Sequence, residues 1–248
     1  MKEQDIIERF RICRYGKSDS VVVEGIHAFK HAYRFGAKFE NVFCSNKNKV
    51  ISLTAKIASE REAKILSDLI VEVDGDFLAK LSPHPIRTEL ISLVKKPEQK
   101  KITDLDQDKP IVFLENPHDT KNVGATVRVA AAFGVAALCV SGEINPWHAG
   151  CVKSGSGLHF AIPIFKVKSL EEISSGRMTV ACDADGENMY ETVLPKNSIL
   201  VFGTERYGIT DGVKKSVDKI ISIPMMENVS SLNLATSVSA VLFGANFS

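Results

Sequence analysis

The chain has 248 residues, 44% of them hydrophobic and 25% charged, with a formal net charge of +1. That composition belongs to a globular protein with one large core or two modest ones and excludes a highly charged disordered chain. No apolar run reaches the roughly 18 residues that a membrane span needs.

The first five residues, Met1 to Asp5, carry acids and lack the apolar centre of a signal peptide, so the cytoplasm is the expected location. Cys13, Cys44, Cys139, Cys151 and Cys182 are odd in number and contain no C-x-x-C pair, which supports neither a zinc site nor a disulfide framework. Cys44 and Cys139 sit in apolar, strand-like runs and are expected to be buried thiols. The six histidines show no metal-ligand spacing, and no metal is expected.

From the N-terminus, Val21-Val22-Val23 leads through Glu24-Gly25 into residues 26–36, where apolar side chains recur every three or four positions before a glycine. A strand followed by a helix is predicted there. Residues 39–44 read as the next strand, about 50–61 as a helix, and 89–94 as a last strand. The polar run Lys95-Lys96-Pro97-Glu98-Gln99-Lys100-Lys101 has almost nothing to bury and reads as a linker. Beyond it, apolar strands near 110–115, 136–140, 162–166, 178–182, 199–203 and 219–223 alternate with several helical segments. That alternation predicts a parallel sheet covered on both faces. Ordinary topology rules predict it doubly wound and unknotted.

Charge divides along the same line. Residues 1–100 hold 18 Lys/Arg against 14 Asp/Glu, and residues 101–248 hold 13 against 16. A basic N-terminal part suits a phosphate-bearing partner, although solvated surface would have the same composition.

Three segments carry chemistry. Asn122-x-Gly124-x-x-x-Arg128 opens a small-residue helix after the strand at 111–114. Gly203-x-Glu205-x-x-Gly208 follows the strand at 199–202. The β-branched run at 220–223 ends in Pro224-Met225-Met226 and passes through a polar loop to Ser231-Leu232-Asn233, where another small-residue helix begins. A buried strand, a loop able to wrap a ligand and a Ser/Asn helix start make a site built from backbone.

In this order, the N-x-G-x-x-x-R helix, the G-x-E-x-x-G loop and the I-P-M…S-L-N segment resemble the SpoU (TrmH) family of the SPOUT superfamily. Its members are S-adenosyl-L-methionine-dependent RNA ribose 2′-O-methyltransferases. The V-V-E-G-x-H-A start is similar to the small α/β substrate-binding domain that precedes the catalytic domain in many of them. The resemblance implies an α/β fold: a C-terminal parallel-sheet SPOUT domain with a trefoil knot, preceded by a small RNA-binding-like domain. It divides the chain into an RNA substrate-binding domain at 1–96, a linker at 97–107 and a methyltransferase domain at 108–248. It also implies rRNA or tRNA as partner, a homodimer packed through the last helix (about 232–247), and no membrane.

The resemblance assigns catalytic roles to Arg128, Asn122, Glu205, Ser231 and Asn233. Arginine stays protonated at ordinary pH, so Arg128 is read as an RNA-binding and alkoxide-stabilising group rather than a base; otherwise it would pair with a surface carboxylate. Asn122 is expected to cap its helix and orient the reactive groups, and Ser231 and Asn233 to begin the last helix. Glu205 is expected to hold Arg128 or Asn122, or else to be a solvated turn acid. Gly203, Thr204, Gly208, Ile223, Met225, Ser231 and Leu232 are the candidate cofactor-binding residues. Lys153, in Lys153-Ser154-Gly155-Ser156-Gly157, is a second candidate for RNA phosphate.

Three departures from the family pattern bear on activity. Glu227 stands where glycine is common, Ser230 where glutamate often precedes S-L-N, and Leu234-Ala235 where Val-Ser is frequent. A glutamate at 227 could crowd a cofactor or neutralise its charge. The alternative reading is therefore a non-catalytic RNA-binding or ribosome-assembly factor with a relic pocket. A dinucleotide enzyme is disfavoured because no G-x-G-x-x-G follows any strand.

Overall fold

The apolar runs build two separate sheets in a computed structural model that describes residues 2–82, 89–174, 176–204 and 207–248. The chain divides into two units: Met1–Glu98 with Trp147–Ala161, and Gln99–Pro146 with Ile162–Ser248.

In the first unit, β1 (Ser20–Glu24), β2 (Phe39–Cys44), β3 (Val71–Glu72) and β4 (Leu90–Lys95) form a sheet in the order β1-β4-β2-β3. β4 runs antiparallel to both of its neighbours, and β3 lies parallel to β2. Alternate side chains of these strands feed two cores. Val22, Phe43, Ile91 and Leu93 pack with Phe10 and Leu78, while Val42, Cys44 and Leu90 pack with Ile26, Phe29, Val50 and Leu66. Helices α1 (Glu3–Cys13), α2 (Ile26–Arg34), α3 (Lys47–Ala55), α4 (Glu60–Leu69) and α5 (Gly75–Lys80) supply those partners.

The single helix expected over about 50–61 is two helices. Ser59 accepts a hydrogen bond from the Glu62 N–H, and Glu62 returns one from the Ser59 N–H, a reciprocal cap that starts α4 afresh. Residues 147–161, which the sequence reading leaves in the C-terminal domain, pack within the first unit. There the Ala149 N–H donates to the Arg14 carbonyl and Lys96 Nζ lies 5.8 Å above the Trp147 ring.

The second unit contains a six-stranded sheet. Its strands are β5 (Ile111–Leu114), β6 (Ala137–Val140), β7 (Ile164–Lys166), β8 (Thr179–Asn188), β10 (Ile199–Phe202) and β11 (Lys219–Ser222), with the short β9 (Val193–Leu194) paired separately to β12 (Asn246–Phe247). The order β11-β8-β10-β5-β6-β7 is parallel throughout. The central strands are buried along their whole length because both faces are covered. Ile111, Phe113, Cys139 and Val201 meet Leu170 and Ile173 in one core. Helix α6 (Thr120–Phe133) packs against α9 (Leu234–Gly244), with Val123, Val127, Val238 and Val241 buried on the two helices. The last helix is therefore shorter than expected, ending where β12 begins. Among the described residues, no helix is long and apolar enough to cross a membrane.

Candidate active site

A cavity of about 290 Å³ opens at the carboxyl ends of β8, β10 and β11, where open parallel sheets place their ligands. Each wall has a local cause. β8 pairs with β11 through Ala181↔Ile220, and pairing then resumes at Glu187↔Ile221. The residues between bulge out of the ladder, turning Cys182, Asp183 and Ala184 towards the cavity. Gly186 closes this bulge, since a Cβ there would stand 2.3 Å from the Ile221 carbonyl carbon.

β10 supplies Phe202, Gly203 and Thr204. The Thr204 and Gly208 backbones exchange two hydrogen bonds of 2.9 Å, which brings these two residues side by side. Gly203 is required by that approach, because a Cβ on it would meet the Gly208 carbonyl at 2.1 Å. The far end of the loop is tied to β5: Glu115 accepts the Thr210 N–H at 2.9 Å and the Thr210 hydroxyl at 2.6 Å. The segment after β11 completes the wall with Ile223, Met225, Ser230, Ser231, Leu232, Leu234 and Ser237. All seven residues expected to bind a cofactor thus line one cavity. Phe202, Ile223, Leu232 and Leu234 give it an apolar side, and the backbone of Gly203, Thr204 and Gly208 gives it a polar one.

Asn233 is the N-cap of α9, its Oδ1 accepting the Ala235 N–H at 3.0 Å. Its Nδ2 donates to Asn122 Oδ1 at 2.9 Å, joining the first turns of α6 and α9. Asn122 is not itself the cap of α6. Asp119 fills that position, accepting the Lys121 N–H at 2.7 Å, and Asn122 lies inside the first turn, where its side chain meets Asn233. Ser231 likewise caps nothing and lines the cavity. Arg128 is on the exposed side of α6 and makes no ion pair among the described residues. Glu205 lies outside the described residues.

Lys153 belongs to the first unit, in α7 (Ala149–Ser154), where its Nζ pairs with Glu24 at 3.0 Å; Arg14 holds the other carboxylate oxygen at 2.9 Å. Burial would raise the Glu24 carboxyl, and the bonds from Lys153 and Arg14 outweigh it, leaving the group below its ordinary value. Lys153 therefore neutralises a buried acid. Glu227 is exposed and absent from the cavity wall, whereas Ser230 is on it. Residues that sequence reading missed are Cys182, Asp183 and Ala184, which only the bulge reveals, and Glu115, whose partner lies 95 residues away.

Comparison with known proteins gives a consistent result. The SpoU rRNA Methylase family matches residues 109–243. An uncharacterized tRNA/rRNA methyltransferase of Archaeoglobus fulgidus is 30% identical over 227 residues, covering 88% of this chain and 95% of the relative. The 23S rRNA (guanosine-2′-O-)-methyltransferase RlmB of Salmonella typhimurium is 28% identical over 244 residues, covering 91% and 98%. Among solved structures, the SpoU methyltransferase AviRb from Streptomyces viridochromogenes, in complex with the cofactor AdoMet, superposes with a TM-score of 0.77 at 20% identity. The match covers 96% of this chain and 95% of AviRb, and it shows the fold.

Proposed function

The chain belongs to the SpoU rRNA methylase family, and on that premise we propose that it is an S-adenosylmethionine-dependent RNA 2′-O-ribose methyltransferase acting on ribosomal RNA. The observation that carries this reading is the convergence of three separated segments on one cavity, with α6, the helix bearing Arg128, bonded through Asn122 to the N-cap beside it. Full-length coverage of an rRNA methyltransferase favours ribosomal over transfer RNA.

The residues present fit the cofactor. Phe202, Ile223, Leu232 and Leu234 offer the apolar surface an adenine needs, Gly203 and Gly208 place backbone on the wall with no side chain, and Thr204 adds a hydroxyl. Met225 and Ser231 complete the set that would hold it. S-adenosylmethionine, when bound, supplies an electrophilic methyl group. The chain's own work is positioning and electrostatics. Arg128 brings a permanent charge and a planar fork of donors, suited to anchoring an RNA phosphate and stabilising the ribose oxygen as its proton leaves. Asn122 and Asn233 hold the two helix starts in register, Ser231 faces the reacting centre, and Glu205 keeps an orienting role. Lys153 would reach RNA only by sharing its charge with Glu24.

The relic-pocket alternative rests on Glu227, and its exposed position away from the cavity wall removes that support. The reading also includes a homodimer through α9, supported by Phe243, which is 84% exposed. An N-terminal RNA-binding domain and a C-terminal trefoil knot are included on the family resemblance alone, and action in the cytoplasm follows from an RNA-modifying role.

The test is to map 2′-O-methylated riboses in ribosomal RNA from cells with and without this protein. One site should be lost and then restored by the wild-type chain. Unchanged ribosomal RNA together with a lost site in transfer RNA would move the substrate, and no lost site in either would refute the activity.

A further inference from the structure

Among its described residues, the cavity wall carries a single carboxylate. Among its described lining residues Asp183 is the one acidic or basic side chain apart from the Cys182 thiol, which burial pushes up to about 12. The remaining residues are glycine, alanine, hydroxyl-bearing or apolar. Asp183 sits in the β8 bulge, so its backbone is out of the ladder and its side chain turns into the cavity rather than across the sheet. That side chain is only 13% exposed.

The carboxylate is anchored on both oxygens. Oδ1 accepts the Asp185 N–H at 3.3 Å and Oδ2 pairs with Lys214 Nζ at 2.8 Å. Lys214 comes from α8 (Asp211–Ser216), which follows the Thr204–Gly208 pairing in the chain. Oδ2 also lies 3.5 Å from where a Cβ on Gly208 would stand, which places it beside the loop that shapes the cavity mouth. Lys214 does not line the cavity and Asp183 does, so the lysine holds the acid while the acid faces the ligand. A fixed carboxylate among described lining residues that are otherwise uncharged is preorganised to receive a cation.

We infer that Asp183 is the specificity-determining residue through which this cavity reads the positive charge of its cofactor, with Lys214 as the cation that partly neutralises it from outside the cavity. The inference rests on the methyltransferase reading above. S-adenosylmethionine carries a sulfonium and an ammonium, S-adenosylhomocysteine only the ammonium, and methylthioadenosine neither. The three form a charge series on one nucleoside.

Calorimetric titration of the full-length protein with the three ligands tests it. Asp183→Asn should lose about tenfold or more in affinity for S-adenosylmethionine while holding methylthioadenosine within about twofold. A parallel fall for S-adenosylhomocysteine identifies the ammonium as the group read, and its sparing identifies the sulfonium; both support the assignment. Lys214→Gln leaves the carboxylate without its neutralising partner, so binding of S-adenosylmethionine should hold or tighten. That variant keeps the test open should Asp183→Asn fold poorly. Wild-type affinity in Asp183→Asn, or equal losses for all three ligands, would overturn the inference, as would a Lys214→Gln variant that weakens only the charged ligands. A wild-type protein that binds none of the three would instead remove the cofactor reading from which the inference starts.

Discussion

Arg128 stands on the exposed side of α6, two turns beyond the Asn122–Asn233 bond. Its proposed role lies on the RNA side, so Arg128→Ala should abolish methylation while leaving S-adenosylmethionine affinity within about threefold. Arg128→Lys should fail as well, because a point charge cannot reproduce a planar fork of donors. Turnover assays beside binding titrations check both, and near-normal turnover in the lysine variant would refute the geometry. Asn233 does two jobs with one amide. Asn233→Ala removes both the cap and the bond to Asn122, at a cost of about 1–2 kcal/mol. Asn233→Ser keeps a capping oxygen and should recover most of that stability without the Asn122 bond. Melting curves with activity assays will separate the two functions: recovered stability with poor turnover is the expected pattern for the serine variant. Cys182 lines the cavity as a protonated thiol, so alkylation at that position should stay slow below about pH 10, which peptide mass spectrometry over a pH series would report.

At the scale of elements, the ends of helices were the most legible feature and also the most easily misread. Ser59-x-x-Glu62 is a start signal written in the sequence, and it divides what periodicity alone joins into one helix over 50–61. The Arg34 side chain first, then the Ser59 backbone and hydroxyl, lower the Glu62 carboxyl to about 2. A folded-state value below the unfolded one means this group stabilises fully above about pH 4.3, and the contribution is lost as pH falls towards 2. Glu62→Gln should therefore reduce stability at neutral pH and flatten the acid limb of a stability–pH profile followed by circular dichroism. An unchanged acid limb would show that α4 does not depend on the pair. At α6 the misreading was local, because Asp119 and Asn122 are both good cap residues and only the backbone decides which one lies outside the helix. The two-residue strands β9 and β12 gave no periodic signal, being too short to hold an alternation.

For the whole molecule, two consequences follow from how the chain is distributed. Trp147, the sole tryptophan, is buried in the first unit, to which the rest of 147–161 also belongs. A fragment beginning at residue 108 would carry that segment without the Arg14 and Lys96 groups it packs on. Its tryptophan emission should shift to the red relative to the full chain; an unshifted spectrum would mean the segment finds other cover. Phe243, exposed near the end of α9, should be a central contact of the proposed dimer. The wild-type protein is expected to sediment as a dimer at micromolar concentration and Phe243→Glu as a monomer. A wild-type monomer would refute the dimer.

The sequence by itself determined the elements and the chemistry. Runs such as Ile111–Leu114 and Ile199–Phe202 are apolar along their whole length, which only burial on both faces tolerates, and two of the three glycine- and asparagine-marked segments line the cavity. Tertiary structure decided which of those residues act together. Asn122 meets Asn233 across 111 residues, Glu115 meets Thr210 across 95, and Lys153 is drawn away to a buried acid across 129. It also turned Asp183 towards the cavity, because a bulge depends on how two strands pair and neither strand alone records it. Local pattern reports what a residue prefers, whereas a partner far along the chain is set by the order in which strands enter the sheet, and no spacing in the sequence encodes that order.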